Sequence, residues 1–226
     1  MANTKDIGSA FDLLGKSKDI VVANWQVFIW AYLPFILLTV MTTLDAPRIE
    51  SEPMPFDFTL VNSIVFGILP LVIILVIIYF AAAVTVLEVR AARGENPIPR
   101  LIFAEALKFF VRFIALGFVG GLIILLGLLL LIVPGVIAIG RLAMSPYHMI
   151  DKNLGPIEAL KASNNQAKGN MGKIYAAIVV MILIQVAASI VGILPFIGGL
   201  ISLGVTIIFS LVLVLRYQQL KTLKAS

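Results

Sequence analysis

FIALGFVGGLIILLGLLLLIVPGVIAIGRLAMSPYHMI, residues 113–150, sets an almost purely apolar run against a shorter one that carries Arg141. The first part, residues 113–133, is long enough to cross a hydrocarbon core of about 30 Å as a helix of about 20 residues. Pro134 and Gly135 then predict a turn, and residues 136–150 a short returning span containing Arg141, Pro146 and His148. The second leg is weak by itself. Seven strong apolar residues contribute roughly −2 to −4 kcal/mol, and one central arginine costs about +2.5 to +3.5. It is expected to enter as the second half of a hairpin led by its apolar neighbour.

The rest of the 226 residues follows the same plan. The chain is 61% hydrophobic with 13% charged residues and a mean hydropathy of +1.08, so its main solvent is lipid; a soluble surface needs about twice that share of charge. There is no cysteine and a single histidine, which removes disulfide frameworks and thiolate chemistry and argues against a metal centre. No cofactor is expected. The polar first 24 residues do not read as a cleavable signal.

Further spans are expected at residues 25–44, 61–87 (bent at Pro70), 174–194 and 198–215, giving six transmembrane helices paired as three hairpins in an all-α, polytopic membrane fold. Solidly apolar runs do not fit a membrane barrel, which needs alternation. Fifteen of the 17 basic residues fall on one side of this topology, so the positive-inside bias puts both termini in the cytoplasm of a multi-pass cell-membrane protein, in bacteria the inner membrane. The basic pI near 9.6 has this topological cause and does not imply nucleic acid. Residues 1–226 then read as a single membrane domain. Its parts are an interfacial helix (1–24), hairpin 1 (25–87), a cytoplasmic amphipathic segment (88–112), hairpin 2 (113–150), a cytoplasmic helix (151–173), hairpin 3 (174–215) and a basic tail (216–226).

Each hairpin is preceded by a cytoplasmic amphipathic helix. Ile7, Ala10, Phe11 and Leu14 share one face of the first, and Ile102, Phe103, Ala106, Leu107 and Phe110 the wide apolar face of the second, which should lie flat among headgroups. The third, from Gly155 and Pro156 onward, has an alanine-rich face suited to packing on protein. Glu105-Ala106-Leu107-Lys108 recurs as Glu158-Ala159-Leu160-Lys161, and Ile132-Val133-Pro134-Gly135 is echoed by Ile193-Leu194-Pro195-Phe196. Both are consistent with parallel internal repeats.

Residues 129–173, LLLIVPGVIAIGRLAMSPYHMIDKNLGPIEALKASNNQAKGNMGK, carry a further signal. In order they present Pro134 and Gly135, Arg141, Asp151, Glu158-Ala159-Leu160-Lys161 with Ser163, then Lys168-Gly169. This stretch resembles the glycerophosphoryl diester phosphodiesterase membrane-domain family and related uncharacterised bacterial six-span proteins. Asn164 and Asn165 stand where that pattern has a bulky aromatic. The resemblance implies the six-span architecture and brings no reaction with it.

Among residues able to carry chemistry, Arg141 stands out, about 9 Å into the membrane by helical rise from the Pro-Gly turn. It reads either as an anion site for a lipid phosphate or anionic solute, or as a structural arginine that snorkels or bonds carbonyls freed by Pro134 and Pro146. Gln185, near the middle of the fifth span, is its first candidate partner; an interhelical hydrogen bond explains it equally well. His148 and Asp151 lie three apart, a spacing that lets them meet on one helical face, and Glu88 with Arg90 reads as a headgroup-level pair. Arg93, Arg100, Lys108, Arg112 and Lys161 are the candidate contacts to anionic headgroups.

With no paired carboxylates at depth and no phosphate-cradling glycine loop, an enzyme is not indicated. The leading expectation is a non-catalytic integral membrane protein that organises the bilayer or partner proteins, binding anionic lipid headgroups, with protein partners or a second copy of the chain as further contacts. The alternative is a transporter or permease for an anionic or lipid-like solute, using Arg141 and Gln185.

Overall fold

The computed structural model describes residues 10–43, 67–191 and 197–225, and these are helical apart from short connections. The order is α1 (Ala10–Ala23), α2 (Trp25–Thr43), α3 (Leu69–Ala92), α4 (Pro99–Leu130), α5 (Ile132–Leu142), α6 (Ser145–Asp151), α7 (Pro156–Ala167), α8 (Met171–Val191) and α9 (Ile197–Ala225). The all-α class is as expected. Two helices, α3 and α4, are long and apolar enough to cross a membrane, and up to four spans arise if α1 with α2 and α7 with α8 each count as one bent span.

Those two bends have local causes. Between α1 and α2 the chain turns by 95° at Asn24, whose side-chain amide donates to the Ile20 carbonyl at 3.0 Å while its own carbonyl accepts from the N–H groups of Val27 and Phe28. Between α7 and α8 it turns by 103° through Lys168, Gly169 and Asn170. Gly169 has φ +80°, a left-handed conformation that only glycine adopts freely. Each short helix therefore lies across the start of the long apolar helix that follows it.

The second amphipathic segment does not follow this pattern. Residues 99–130 form one helix of 32 residues, about 48 Å long, where a flat segment followed by a separate span was expected. A change of hydropathy near Arg112 does not interrupt backbone hydrogen bonding; that needs a proline, a left-handed residue or a capping side chain, and the stretch has none there. The two copies of Glu-Ala-Leu-Lys consequently occupy different settings. Glu105 lies inside α4 and accepts from Arg90, whereas Glu158 sits in the first turn of α7 and accepts from the backbone N–H of Gly155 at 3.2 Å. The other echoed tetrapeptide extends outside the described residues, as do the loop between α2 and α3 and the first part of the second expected span.

The chain reverses direction at Leu131, a single extended residue (φ −164°, ψ 149°) between α4 and α5. The turn thus precedes Pro134 and Gly135, which were expected to form it. Proline is tolerated in the first turn of a helix because N–H groups there have no intrahelical partner. Pro134, third residue of α5, removes one such donor from an apolar setting. Likewise Pro70 lies in the first turn of α3. Past the turn, α5 runs back along α4 so closely that Gly127 and Gly135 pack backbone to backbone: a Cβ on Gly127 would lie 2.9 Å from Gly135 Cα. The expected fourth span is two helices, since α5 ends at Leu142 and α6 begins at Ser145.

Burial separates the molecule into two zones. A continuous core joins Phe28 and Tyr32 of α2, Val86 and Leu87 of α3, Ile102 and Phe109 of α4, Met149 of α6 and Tyr217 of α9. Tyr79 stacks on Phe103 and donates to its carbonyl at 3.1 Å. Beyond this core the helices display leucine, isoleucine and valine outward, from Ile68 to Ile77 on α3 and from Leu128 to Val133 around the turn, where Leu129 is 80% exposed. In water so large an apolar surface would drive association; facing lipid it is the surface expected of a membrane protein.

Candidate functional site

The end of α5 is built by its neighbours. Its last carbonyls lack intrahelical donors, and two are taken by hydroxyl groups: Ser163 of α7 donates to the Arg141 carbonyl at 2.7 Å, and Ser145 to the Leu142 carbonyl at 2.6 Å. Tyr175 of α8 donates to the Val136 carbonyl at 2.6 Å, and its ring fits over Gly140, where a Cβ would lie 2.6 Å from the ring carbon that bears the hydroxyl. Leu160 of α7 lies against Gly120 of α4, 3.5 Å from where a Cβ would stand. The alanine-rich face of α7 is therefore buried on protein, with Ala159, Leu160, Ser163 and Ala167 all inside, as its sequence predicts.

These contacts enclose a groove of about 590 Å³ between α4, α5 and α7, walled by Val119 and Ile123, by Ile137, Ala138 and Leu142, and by Ile157 and Leu160. Three polar side chains line it: Arg141, Lys161 and Asn164. Ile157, Leu160, Lys161 and Asn164 are spaced i, i+3, i+4 and i+7 on α7 and so share one helical face. Neither the Arg141 guanidinium nor the Lys161 ammonium has a hydrogen-bond or ion-pair partner among the described residues, and no carboxylate lines the groove. The Arg141 guanidinium thus bonds neither Pro134's nor Pro146's freed carbonyls, which separates it from one structural role considered for it. With the turn at Leu131, it lies ten residues along α5, about 15 Å by helical rise, rather than six.

Other expected site residues have different neighbours. Gln185 accepts from Thr206 of α9 at 3.1 Å, an interhelical bond away from the groove, and does not share that cavity with Arg141. Arg93 binds Asp151 through both its carboxylate and its carbonyl, and Arg112 donates to Asn153 at 2.7 Å while its guanidinium lies over the Phe109 ring. These two arginines hold the fold together. Arg100 and Lys108 are exposed on α4 without such partners among the described residues.

A second polar cluster was legible only in part. Asp151, its side chain fully buried, also accepts from Tyr217 at 2.7 Å and from Lys221 at 2.7 Å, so it joins the end of α3 to α9. Burial pushes its carboxyl up, but the bonds from Lys221, Arg93 and Tyr217 outweigh that and hold it at about 2. His148 makes no hydrogen bond to Asp151. Its Nε2 lies 2.6 Å from Gln166 Oε1, and since the Gln166 amide nitrogen donates onward to the Tyr217 carbonyl, Nε2 carries the proton. Nδ1 has no partner among the described residues. Glu88, expected to pair with Arg90, is instead buried beside the Tyr32 hydroxyl at 3.4 Å, while Arg90 pairs with Glu95 and Glu105. Residues two apart on a helix face different sides.

A family model described as Uncharacterised protein family (UPF0259) matches residues 81–215, more than half of the chain. The chain belongs to this family. The matched region runs from the buried half of α3 to α9 and includes the whole α4–α5–α7 groove. A UPF0259 membrane protein of Pectobacterium carotovorum subsp. carotovorum (strain PC1) is 35% identical over 83 residues, covering 37% of this chain and 33% of that protein. The match thus spans about a third of the curated relative's length. No solved structure matches the chain. The family shown is UPF0259, an uncharacterised bacterial membrane family, and not the glycerophosphoryl diester phosphodiesterase membrane-domain family that residues 129–173 resemble.

Proposed function

We propose that this UPF0259 chain is a non-catalytic, multi-pass protein of the cell membrane, with both termini cytoplasmic, that organises the inner leaflet by holding anionic lipid headgroups. The observation that carries the reading is the pairing of Arg141 with Lys161 in one groove with no carboxylate among its lining residues. Two exposed cations without a protein partner beside an apolar wall suit a ligand that is anionic at one end and apolar at the other, as a lipid is. Arg100 and Lys108 extend the basic surface along α4, and protein partners or a second copy of the chain would dock on the same face.

Six spans in three hairpins remain the topology we assign, with α1 and α7 bracing the cytoplasmic side; the bends of 95° and 103° support helices that lie across the spans they precede. The likeness of residues 129–173 to the phosphodiesterase membrane-domain family is read as shared architecture. The test is extraction of the full chain into polymer-bounded nanodiscs and quantification of the lipids carried with it. Enrichment of phosphatidylglycerol and cardiolipin over the bulk membrane is expected, and a bulk-like lipid composition would remove the reading. A transporter built on Arg141 and Gln185 is not favoured, since Gln185 pairs with Thr206 outside the groove.

A further inference from the structure

We infer that the groove between α4, α5 and α7 is a binding site for a single anionic phospholipid, its phosphate held by Arg141 and Lys161 and one acyl chain laid along the wall of α5. The inference rests on the headgroup-binding reading above and names the site and ligand for it. The groove is amphipathic along its length. At one end stand Arg141, Lys161 and Asn164, and toward the other the lining is Ile137, Pro134 and Val133, with Val119 and Ile123 opposite.

From Arg141 back to Pro134 is seven residues, about 10 Å of helical rise, long enough to lie beside the first part of an acyl chain. A chain lying there continues past Val133 into the bilayer, since Val133 is itself 67% exposed. A volume of about 590 Å³ suits a headgroup and the first part of one chain, being in the range of ligand pockets of about 300–1,000 Å³. A soluble anion would use the two cations and leave the apolar wall to other lipids. A phospholipid uses both.

The two cations match phosphate in complementary ways. Arginine offers a planar fork that can bind two phosphate oxygens at once, and lysine a compact charge; Asn164 adds an uncharged amide. The helices that carry them are fixed against each other before any ligand arrives. Ser163 ties α7 to the Arg141 carbonyl, and Leu160 seats α7 on Gly120; both contacts come from residues adjacent or nearly so to Lys161. Such preorganisation reduces the ordering cost of binding.

The experiment is native mass spectrometry of the full chain in detergent, titrated with phosphatidylglycerol or phosphatidylcholine of identical chains. The first phosphatidylglycerol should bind at least about tenfold more tightly than phosphatidylcholine. Arg141→Gln with Lys161→Gln should abolish that preference, and Arg141→Lys should keep most of it. Ala138→Phe, which narrows the apolar wall with both cations intact, should weaken binding. If the double variant binds phosphatidylglycerol like the wild type while nanodisc enrichment persists, the groove assignment is overturned and the broader reading stands. If inorganic phosphate displaces phosphatidylglycerol at equal concentration, the site is an anion site and the lipid assignment is overturned. If neither assay shows an anionic preference, both fall.

Discussion

The Ser163 hydroxyl donates to the main-chain carbonyl of Arg141 at 2.7 Å, so the helix that presents Lys161 is fastened to the residue with which Lys161 shares a groove. The bond crosses 22 positions of sequence and satisfies an acceptor that α5 leaves open at its C-terminal end. Removing the donor leaves a partly buried carbonyl unpaired. Ser163→Ala is expected to cost about 1–2 kcal/mol, read as a lower unfolding midpoint in detergent, with Ser163→Thr close to wild type. An unchanged midpoint in Ser163→Ala would show that α7 is held by packing alone.

The close approach of α4 and α5 makes a second expectation. A methyl group on Gly127 would lie 2.9 Å from Gly135 Cα, and because the obstacle is backbone, one helix must move. Gly127→Ala is expected to destabilise the chain by about 1–3 kcal/mol. Gly117 lies on the same helix with open space around it, so Gly117→Ala should be neutral or slightly stabilising. Equal behaviour of the two variants in thermal unfolding would contradict the packing described.

Tyr175 should act through its hydroxyl. It donates to the Val136 carbonyl, and Tyr175→Phe keeps the ring over Gly140 while losing the bond. A loss of about 1 kcal/mol is expected. Gly140→Ala should cost more, since the new methyl meets a ring fixed at its tip. Equilibrium unfolding of both variants distinguishes bond from fit.

Acid should loosen the contact of α3 and α6 with α9. Asp151, at about 2 against 3.8, contributes stability present above pH 3.8 and lost as pH falls toward 2, because its folded-state value is the lower one. Asp151→Asn should flatten the dependence of unfolding temperature on pH below 3.8. A slope unchanged in that variant would exclude Asp151 as its source.

Asp151→Asn removes the charge on which Arg93 and Lys221 converge. Both cations are more than a third exposed, so water partly compensates, and an expected loss is about 1–3 kcal/mol. Limited proteolysis near Lys221 should rise first, because Tyr217 and Lys221 anchor the end of α9 through this carboxylate.

How much of this was legible from residues differs by kind of signal. Hydropathy and the placement of Lys and Arg predict a helical membrane protein, and the alanine-rich face of residues 156–167 predicts a helix packed on protein; both depend on local composition. The hydropathy step near Arg112 was a poor guide to a helix boundary because an α-helix ends for backbone reasons. Pro134 misplaced the turn because proline opens a helix as readily as it closes one. Arg141 was visible as an ion among apolar residues, but its companion was not. Lys161 lies 20 residues away on another helix, and only the docking of Leu160 on Gly120 and of Ser163 on α5 brings it near. The His148–Gln166–Tyr217 chain likewise joins residues from three helices, for which no short-range pattern exists.

The six residues around the reversal at Leu131, from Leu128 to Val133, include no polar side chain, and they point outward. Nothing there can grip a polar headgroup, whereas the other end of α5 is tied by Ser163 to α7, which carries Lys161. The position of this knuckle is therefore governed from the α7 end. As the surrounding lipid thickens or thins, the tip is free to shift while the far end of α5 keeps its place against α7.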